Sequence, residues 1–375
     1  MRVLFVASAL RRGGAERQLV VLASELRRRG HDVRIACLRG PGPLDEVAGS
    51  AGVDVVHVSD GSRAGWARAR VRLVRLIRRW RPDVVHPYLT APCVTVTLLR
   101  PLLGGATIVW GIRSSEVRGA LYGPKARLVL RLAVLLSRYA DHVILNSECG
   151  RRSHLEAGYP AERMTVIPNG IDTDRFRPDT SMRTTSRQLM GVTDEHFVVG
   201  MVGRADPVKG HDVFVRAVAI ACETLDDVAA RVVGAVEPDR RVALEAAVAD
   251  SSVAGRLRFV EPTDAPEMFY NGFDVLVFPS FEGEGFPNVV AEGLATGLRV
   301  VATDVGDVAA MMGSLGAVVP AGDADRLAQA VVDAARDPHD PAAARRRVLE
   351  HYSIDQLGSR TEALLLTFCT RTGDR

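Results

Sequence analysis

The sequence predicts an α/β protein built from two doubly wound, Rossmann-like domains. Its 375 residues exceed the usual size of a single hydrophobic core. Short runs rich in Val and Ile alternate with longer helical patterns, which is typical of parallel sheets covered by helices on both faces. This alternation begins again near the middle of the chain, so we expect two sheets rather than one.

Thirteen apolar runs have the length and composition of buried strands. In the first half they are Val3–Ala7, Val33–Leu38, Val53–Val58, Val84–His86, Thr107–Ile112, His142–Asn146 and Thr165–Ile167. In the second half they are Phe197–Val202, Arg231–Gly234, Leu257–Val260, Val275–Phe278, Val300–Thr303 and Ala317–Val319.

A polar stretch near residues 168–190 separates the two halves and predicts a hinge, because it contains prolines and an Asn-Gly turn. We therefore place an N-terminal domain at residues 1–178 and a C-terminal domain at residues 179–352. Residues 353–375 contain the last helical pattern, Ser353–Thr370, which we expect to pack back on the N-terminal domain.

Composition predicts a cytoplasmic protein. No apolar run approaches the roughly 20 residues that span a bilayer, and MRVLFVASALRR has neither a basic leader nor a small-residue cleavage site. The five cysteines are far apart and form no CxxC pair, which indicates reduced thiols rather than a disulfide framework or a zinc site.

Charge is distributed unequally. Residues 1–178 carry 29 basic and 15 acidic side chains, a formal charge of +14, whereas the remainder carries 19 basic and 30 acidic side chains, a charge of −11. The two halves should therefore present different surfaces or bind different partners. Lys125 and Lys209 are the only lysines, so arginine is the usual cation of this protein.

The first motif is Gly13-Gly14-Ala15-Glu16-Arg17, which lies between the first strand and the helical run Gln18–Arg29. In open α/β sheets, ligands bind beyond the carboxyl ends of strands, where glycines let backbone N–H groups approach an anion. The motif suggests a phosphate-binding loop, although an ordinary turn before an amphipathic helix also explains it.

The second motif, at residues 202–210, follows the first strand of the second half. Arg204 and Lys209 bracket a turn there, at the position from which two cations could clamp a diphosphate. Solvated surface charge is the alternative interpretation.

The third motif is FEGEGFPNVVAEG, in which Glu284 and Glu292 lie eight residues apart around Pro287. Two metal ligands, two catalytic carboxylates and a solvated helix start would all fit this spacing. Pro287 suits the first turn of a helix over Val289–Ala295, so residues 287–290 are expected to expose free backbone donors. An elongated ligand with hydroxyls at both ends and phosphates in the middle fits these groups, as in a nucleotide sugar.

Together these motifs resemble the retaining glycosyltransferases of family 4, which have the GT-B fold. The resemblance covers nearly the whole chain, through residues 13–17, Ile-Pro-Asn-Gly-Ile-Asp at 167–172, Gly203-Arg204 with Lys209-Gly210, and residues 284–288 with Glu292. It implies two Rossmann-like domains that face each other across a cleft.

The resemblance also implies roles for residues. Arg204 and Lys209 would bind the diphosphate and stabilise the leaving phosphate, Glu292 the ribose, and Glu284 the donor sugar. The remaining donor-binding groups would be Gly13, Gly14, Gly285, Phe286, Pro287 and Asn288. The implied reaction transfers a hexosyl group from a nucleoside-diphosphate sugar, UDP- or GDP-linked, to a hydroxyl of a saccharide, lipid-linked or small-molecule acceptor, with retention and without cofactor or metal.

Some residues depart from the family pattern. Several relatives place a histidine near the donor sugar at the end of the strand ending at Ile112, where this chain has Arg113. Arg113 and Glu116 are therefore candidates for sugar or acceptor contact, and His86 is a candidate catalytic group or a structural hydrogen-bonding residue.

Two other features suggest different chemistry. Asp172-Thr173-Asp174 resembles a metal-binding DxD, but it lies in the Asn-Gly stretch, and fixed cations could already neutralise a diphosphate. Arg63–Arg81 contains eight arginines among apolar residues, which suits either peripheral contact with an anionic inner membrane face or an ordinary packed helix. No nucleic-acid recognition motif accompanies it, so we expect no nucleic-acid partner.

Two alternatives to a glycosyltransferase stay open from the residues. One is a phosphorylase or sugar-nucleotide epimerase on the same two-domain plan. The other is a non-enzymatic scaffold that binds polyanions or lipid through the arginine-rich helix.

Overall fold

The computed structural model describes residues 1–59, 65–113, 123–261 and 265–369. The chain divides into two compact units. Unit 1 comprises Met1–Gly170 with Ile354–Arg375, and unit 2 comprises Ile171–Ser353. The division after Gly170 lies eight residues before the boundary expected from the sequence.

The described residues of unit 1 form one parallel sheet of seven strands. They are β1 (Arg2–Ala7), β2 (Asp32–Cys37), β3 (Asp54–His57), β4 (Val84–Pro87), β5 (Thr107–Ile112), β6 (His142–Leu145) and β7 (Met164–Val166). Their order is β3-β2-β1-β4-β5-β6-β7. Most of their residues are buried, which explains why the strands appear in the sequence as continuous apolar runs.

The helices of unit 1 cover both faces of this sheet. They are α1 (Gly14–Arg28), α2 (Asp45–Ser50), α3 (Gly65–Trp80), α4 (Thr90–Leu98), α5 (Pro124–Ser137), α6 (Glu148–Ala157) and the C-terminal helix, here called α15 (Ile354–Cys369). Two apolar clusters, one with Phe5 and Leu22 and the other with Trp110 and Leu73, form the core.

Ion pairs tie α15 to α1 within unit 1. Arg29 pairs with Asp355 at 2.6 Å and with Glu362 at 3.0 Å, and His31 lies 2.7 Å from Glu362. Leu357 and Leu365 are buried in the same apolar cluster as Leu22. The last helix is therefore part of the N-terminal unit although it follows unit 2 in the sequence.

Unit 2 contains one parallel sheet of six strands. They are β8 (Phe197–Val202), β9 (Val228–Val233), β10 (Leu257–Val260), β11 (Val275–Phe278), β12 (Arg299–Thr303) and β13 (Gly316–Val319), in the order β10-β9-β8-β11-β12-β13. Its helices are α7 (Thr180–Met190), α8 (His211–Ala221), α9 (Pro238–Ala246), α10 (Pro266–Gly272), α11 (Asn288–Ala295), α12 (Val308–Met312), α13 (Ala324–Arg336) and α14 (Pro341–His351).

The expected hinge is shorter than the sequence suggested, because residues 180–190 form α7. Asp179 caps this helix by accepting hydrogen bonds from the backbone of Ser181 and Met182. Arg183 and Arg187 then pair with Asp274 at 2.7 and 3.1 Å, which holds α7 to unit 2. The prediction of a hinge over 180–190 was therefore wrong.

Both units confirm the predicted fold class of parallel, doubly wound sheets, and each of the thirteen predicted strands is present. The strand order reverses at the same topological point in each unit, between β1 and β4 in unit 1 and between β8 and β11 in unit 2. Such switch points form the ligand crevices of open α/β sheets, so each unit has one expected binding edge. Among the helices of the described residues, none has the length and apolarity needed to cross a membrane.

Candidate active site

The switch point of unit 2 brings the second and third sequence motifs together. Residues 203–210 follow β8, and residues 279–287 follow β11. The backbone N–H of Phe281 donates to the carbonyl of Val208 at 2.8 Å, which joins the two loops. Gly210 has φ +72°, and a Cβ there would lie 2.0 Å from the carbonyl oxygen of Pro279, so only glycine permits this approach.

Lys209 and Glu284 form an ion pair at the centre of this site. Lys209 Nζ lies 2.5 Å from Glu284 Oε1, and the Glu284 side chain is only 12% exposed. Ser280, which is fully buried, donates its hydroxyl to the same carboxylate oxygen at 3.1 Å. An ammonium group has three N–H donors. Lys209 therefore keeps N–H groups that could donate hydrogen bonds to a phosphate oxygen.

Gly306 holds the Glu284 loop from the other side. Its φ is +60°, and a Cβ there would lie 2.6 Å from the carbonyl oxygen of Glu284 and 2.7 Å from that of Gly285. The N–H of Asp307 donates to Gly285 at 3.0 Å. The position of Glu284 is therefore fixed by backbone contacts as well as by its ion pair.

Arg204 lies at the end of β8 with its side chain exposed. Within the described residues, Lys209 has a carboxylate partner and Arg204 has none within 4.0 Å. Arg204 thus follows β8 as the sequence indicates, its guanidinium forms no ion pair with the described residues, and its contact with a diphosphate stays a prediction.

The helix after the Glu284 loop, α11, starts at Asn288, one residue earlier than the predicted start at Val289. Pro287 is its N-cap and Asn288 its first residue. Val290 donates its N–H to the carbonyl of Pro287 at 3.2 Å, so the expectation that all of residues 287–290 expose donors was wrong. Phe286 is buried and packs edge-to-face against Tyr352, with ring centroids 5.3 Å apart, which anchors the start of the helix.

Glu292 lies just over one turn inside α11. Tyr270 donates its hydroxyl to Glu292 Oε2 at 2.7 Å, and the Tyr270 ring is fully buried. This contact fixes the orientation of the carboxylate. The carboxylates of Glu284 and Glu292 therefore have separate supports, one from Lys209 and Ser280 and the other from Tyr270.

The glycine motif of unit 1 lies at that unit's switch point. Gly13 is the N-cap of α1 and Gly14 is its first residue, where the backbone N–H has no partner within the helix. A Cβ on Gly13 would lie 2.2 Å from Glu16 Oε2. Farther along α1, Gln18 exchanges two hydrogen bonds with the backbone of Gly170, at 2.9 and 3.0 Å.

His86 is a fully buried residue of β4. Its Nδ1 lies 2.5 Å from the carbonyl oxygen of Val109, and its ring packs against Phe5 and Tyr88 at centroid distances of 5.1 and 5.3 Å. Burial lowers the pKa of His86 from 6.5 to about 4, and the charge of Arg113 contributes in the same direction. These contacts favour the structural interpretation of His86 over a role in proton transfer.

Arg113 follows β5, close to His86 and Tyr88. Its Nη1 donates to the carbonyl of Ile167 and to Asn169 Oδ1, both at 3.1 Å. Glu116, the other candidate for sugar or acceptor contact, lies outside the described residues.

Two family models match the chain. The model for Glycosyltransferase Family 4 matches residues 12–175, and that for group 1 glycosyl transferases matches residues 196–337. A D-inositol 3-phosphate glycosyltransferase of Geodermatophilus obscurus is 30% identical over 384 residues, covering 94% of this chain and 81% of the relative. The chain belongs to glycosyltransferase family 4.

Other comparisons agree with this family. A GDP-mannose-dependent α-(1-6)-phosphatidylinositol monomannoside mannosyltransferase of Mycolicibacterium smegmatis is 29% identical, over 95% of this chain and 94% of the relative. The crystal structure of Anabaena HepE in complex with UDP has a TM-score of 0.85 and 21% identity, covering 98% of this chain and 100% of HepE. This family 4 glycosyltransferase therefore has the GT-B fold that the sequence predicted.

The DxD-like pair of this glycosyltransferase has a local structural role. Asp172 Oδ1 accepts the backbone N–H groups of Asp174 and Arg175 at 3.2 and 3.0 Å, which closes a turn. Within the part of the chain that the structure describes, no group of three or more His, Cys, Asp or Glu side chains could hold a metal ion. Independence of metal stays a prediction.

Sequence reasoning missed three residues that support the site. Ser280 and Tyr270 contact the two glutamates, and Thr303 donates to the carbonyl of Ser280 at 2.5 Å. Ser280 directly follows β11, a position at which polar residues of α/β proteins often act, and this signal could have identified it. No local signal marks Tyr270, because its partner is 22 residues away.

Proposed function

We propose that this glycosyltransferase moves a hexosyl group from a UDP- or GDP-linked sugar to an acceptor hydroxyl, with retention at the anomeric carbon. The observation that carries the proposal is the arrangement at the switch point of unit 2. There Lys209 and Glu284 meet at 2.5 Å, and Glu292 follows on α11 with a separate support.

Lys209, Arg204 and the start of α11 would hold the diphosphate. Negative charge grows on the leaving phosphate as the glycosidic bond breaks, and fixed positive groups stabilise that charge without reorganising. Glu292 would accept hydrogen bonds from the ribose hydroxyls. Glu284, held by Lys209 and Ser280, would contact the hydroxyls of the sugar next to the diphosphate.

We further propose that the acceptor hydroxyl attacks from the face that the leaving group vacates. Glu284 is the carboxylate that we assign to the donor sugar and is therefore the candidate for a covalent nucleophile. It is engaged by Lys209 and Ser280, which suits hydrogen bonding to the sugar better than nucleophilic attack. The names of the relatives support a nucleotide-sugar donor and an acceptor that carries an inositol.

The test is a screen of UDP- and GDP-linked sugars for thermal stabilisation of the protein, followed by incubation of each hit with candidate acceptors in EDTA. We expect transfer to persist in the chelator, and the anomeric proton coupling of the product to match that of the donor. Inversion, or loss of activity that magnesium or manganese restores, would contradict the proposal. Release of sugar phosphate or of an isomerised donor without acceptor would identify a phosphorylase or an epimerase instead.

We also propose that the enzyme works at the cytoplasmic face of the membrane, bound through α3. This helix contains six arginines and no acidic residue. Its apolar residues Leu73 and Ile77 are buried in the core of unit 1, so the surface that faces solvent is mainly arginine. Contact with anionic lipid would therefore be electrostatic, worth about 1 kcal/mol for each arginine near the surface.

Reversal of charge on this helix tests the membrane proposal. Changing the exposed residues Arg68, Arg75 and Arg79 to glutamate should abolish sedimentation with phosphatidylserine-containing vesicles and leave donor affinity unchanged. The matched control reverses three exposed arginines of unit 2, namely Arg216, Arg326 and Arg346. Equal sedimentation of both variants would contradict a specific role for α3, and salt-dependent binding without any sugar transfer would favour a scaffold.

A further inference from the structure

Arg113 occupies the carboxyl edge of the unit 1 sheet, directly after β5. Its guanidinium lies over the ring of Tyr88, 5.1 Å from the ring centroid. Its Nη1 donates to Ile167 and Asn169, which belong to the segment after β7. Contacts with the segments that follow β4 and β7 therefore fix both the position and the plane of the guanidinium.

The opposite edge of the guanidinium forms no ion pair and no well-formed hydrogen bond with the described residues. Nε and Nη2 are shielded from solvent and have no hydrogen-bond acceptor among the described residues. No carboxylate of the described residues lies within 4.0 Å of Arg113, whereas arginines elsewhere in unit 1, such as Arg29 and Arg100, have such partners. Shielded N–H donors without an acceptor are unfavourable, so this edge favours a ligand that supplies acceptor oxygens, and the positive charge of the guanidinium favours an anionic one.

The geometry of the unpaired edge specifies the kind of anion. The N–H bonds of Nε and Nη2 are parallel, and together they match two oxygens of one phosphate or carboxylate. A neutral hydroxyl could satisfy only one of these donors and would leave the charge uncompensated. Tyr88 borders the same edge of the sheet: burial raises the pKa of its hydroxyl, and the nearby Arg113 guanidinium opposes that rise.

We propose that Arg113 binds, through Nε and Nη2, an oxyanion carried by the acceptor, so that the enzyme selects phosphorylated or carboxylated acceptors. This inference rests on the proposed glycosyl transfer. The donor's diphosphate is the other source of an oxyanion. We assign Arg113 to the acceptor because Lys209, Arg204 and the start of α11 already supply the positive groups proposed for the diphosphate, and titrations with and without nucleotide distinguish the two sources.

The experiment is calorimetric titration with inorganic phosphate at constant ionic strength, on the full chain saturated with UDP or GDP. We expect the wild-type protein to bind phosphate and Arg113→Met to bind it at least about tenfold more weakly, since a charge-assisted bidentate contact is lost. Arg113→Lys, which keeps the charge but not the paired donors, should lie between them. Arg131→Met is the matched control, because Arg131 is an exposed residue of α5 in the same unit.

Each outcome decides the proposal. Equal phosphate affinity of wild type and Arg113→Met, or no phosphate binding by the wild-type protein, would overturn it. If phosphate binds the protein without nucleotide but not the saturated protein, and Arg113→Met also weakens the nucleoside diphosphate, the oxyanion belongs to the donor and the acceptor assignment is wrong. Should Arg113→Met fail to fold, Arg113→Lys with the same titration makes the decision.

Phosphate binding does not depend on turnover, so the two proposals fail separately. A protein that binds phosphate through Arg113 but transfers no sugar would contradict only the proposed function. A protein that transfers sugar while Arg113→Met binds phosphate normally would contradict only this inference.

Discussion

The two units present the same topological edge with different electrostatics. At the switch point of unit 2, Lys209 is already paired with Glu284. At the corresponding edge of unit 1, Arg113 has no carboxylate partner within 4.0 Å among the described residues, and two of its nitrogens have no acceptor. A paired cation keeps its place before ligand arrives, whereas a cation with shielded, unpaired donors favours a ligand that supplies acceptors. The comparison teaches that the same edge of one fold can hold a cation in an ion pair in one unit and leave donors of a cation unpaired in the other.

Removing the paired cation should have the largest effect. Lys209→Met should lower kcat by about 10²–10³-fold and weaken the free nucleoside diphosphate, because a fixed positive group at the leaving phosphate is lost. Initial rates and calorimetry measure the two effects. The matched control is Arg240→Met, since Arg240 forms an exposed ion pair with Asp212 in the same unit.

This variant also leaves Glu284 without its partner, so the double variant Lys209→Met with Glu284→Gln is needed. If the double variant restores diphosphate affinity, the single variant acted through an unpaired Glu284, and Lys209 does not bind phosphate. Equal effects of Lys209→Met and Arg240→Met would contradict the site altogether.

Acid should destabilise both units through buried histidines. The pKa values of His86 in unit 1 and His211 in unit 2 are about 4, against 6.5 for an unburied histidine, chiefly because burial disfavours the charged ring. Between about pH 4 and pH 6.5 the unfolded chain therefore binds more protons than the folded chain. The free energy of unfolding should fall as the pH is lowered from about 6.5 to about 4.

Substitution of the fully buried histidine tests this sign. His86→Gln should reduce the acid-induced fall in the free energy of unfolding by up to about 3 kcal/mol. His57→Gln is the control, because the His57 ring is partly exposed and pairs with Asp45. Denaturant unfolding at several pH values gives the slopes. An unchanged slope for His86→Gln would show that His86 is not held neutral, and would reopen its role as a proton carrier.

The sequence predicted the fold well because buried parallel strands are local signals. Phe197–Val202, Thr107–Ile112 and Val275–Phe278 were located to the residue, since a strand with both faces covered is apolar throughout. Helix α7 was missed because Thr180–Met190 is polar. Its stability comes from the cap at Asp179 and from two arginines that reach Asp274, about 90 residues away.

The site was predicted less completely, for the same physical reason. Lys209 and Glu284 were recognised separately, but their contact joins residues 75 positions apart, and only the parallel pairing of β8 with β11 brings them together. The unpaired edge of Arg113 likewise depends on Ile167 and Asn169, which bind its other nitrogen. Spacing in a sequence indicates which side chains follow a strand. It does not indicate which hydrogen-bonding groups of those side chains are paired within the protein and which are left for a ligand.

The most direct test concerns the two glutamates of unit 2, which the proposed function assigns to opposite ends of the donor. Calorimetry with the free nucleoside diphosphate on Glu292→Gln and Glu284→Gln measures this, provided that both variants melt as the wild type does. Glu292→Gln should weaken binding by about 1.5–3 kcal/mol, because charge-assisted hydrogen bonds to ribose are lost. Glu284→Gln should bind the free diphosphate as well as the wild type or more tightly, because a negative charge beside Lys209 is removed, while transfer falls sharply. Equal weakening by both variants, or by neither, would contradict the assignment of one carboxylate to each end of the donor.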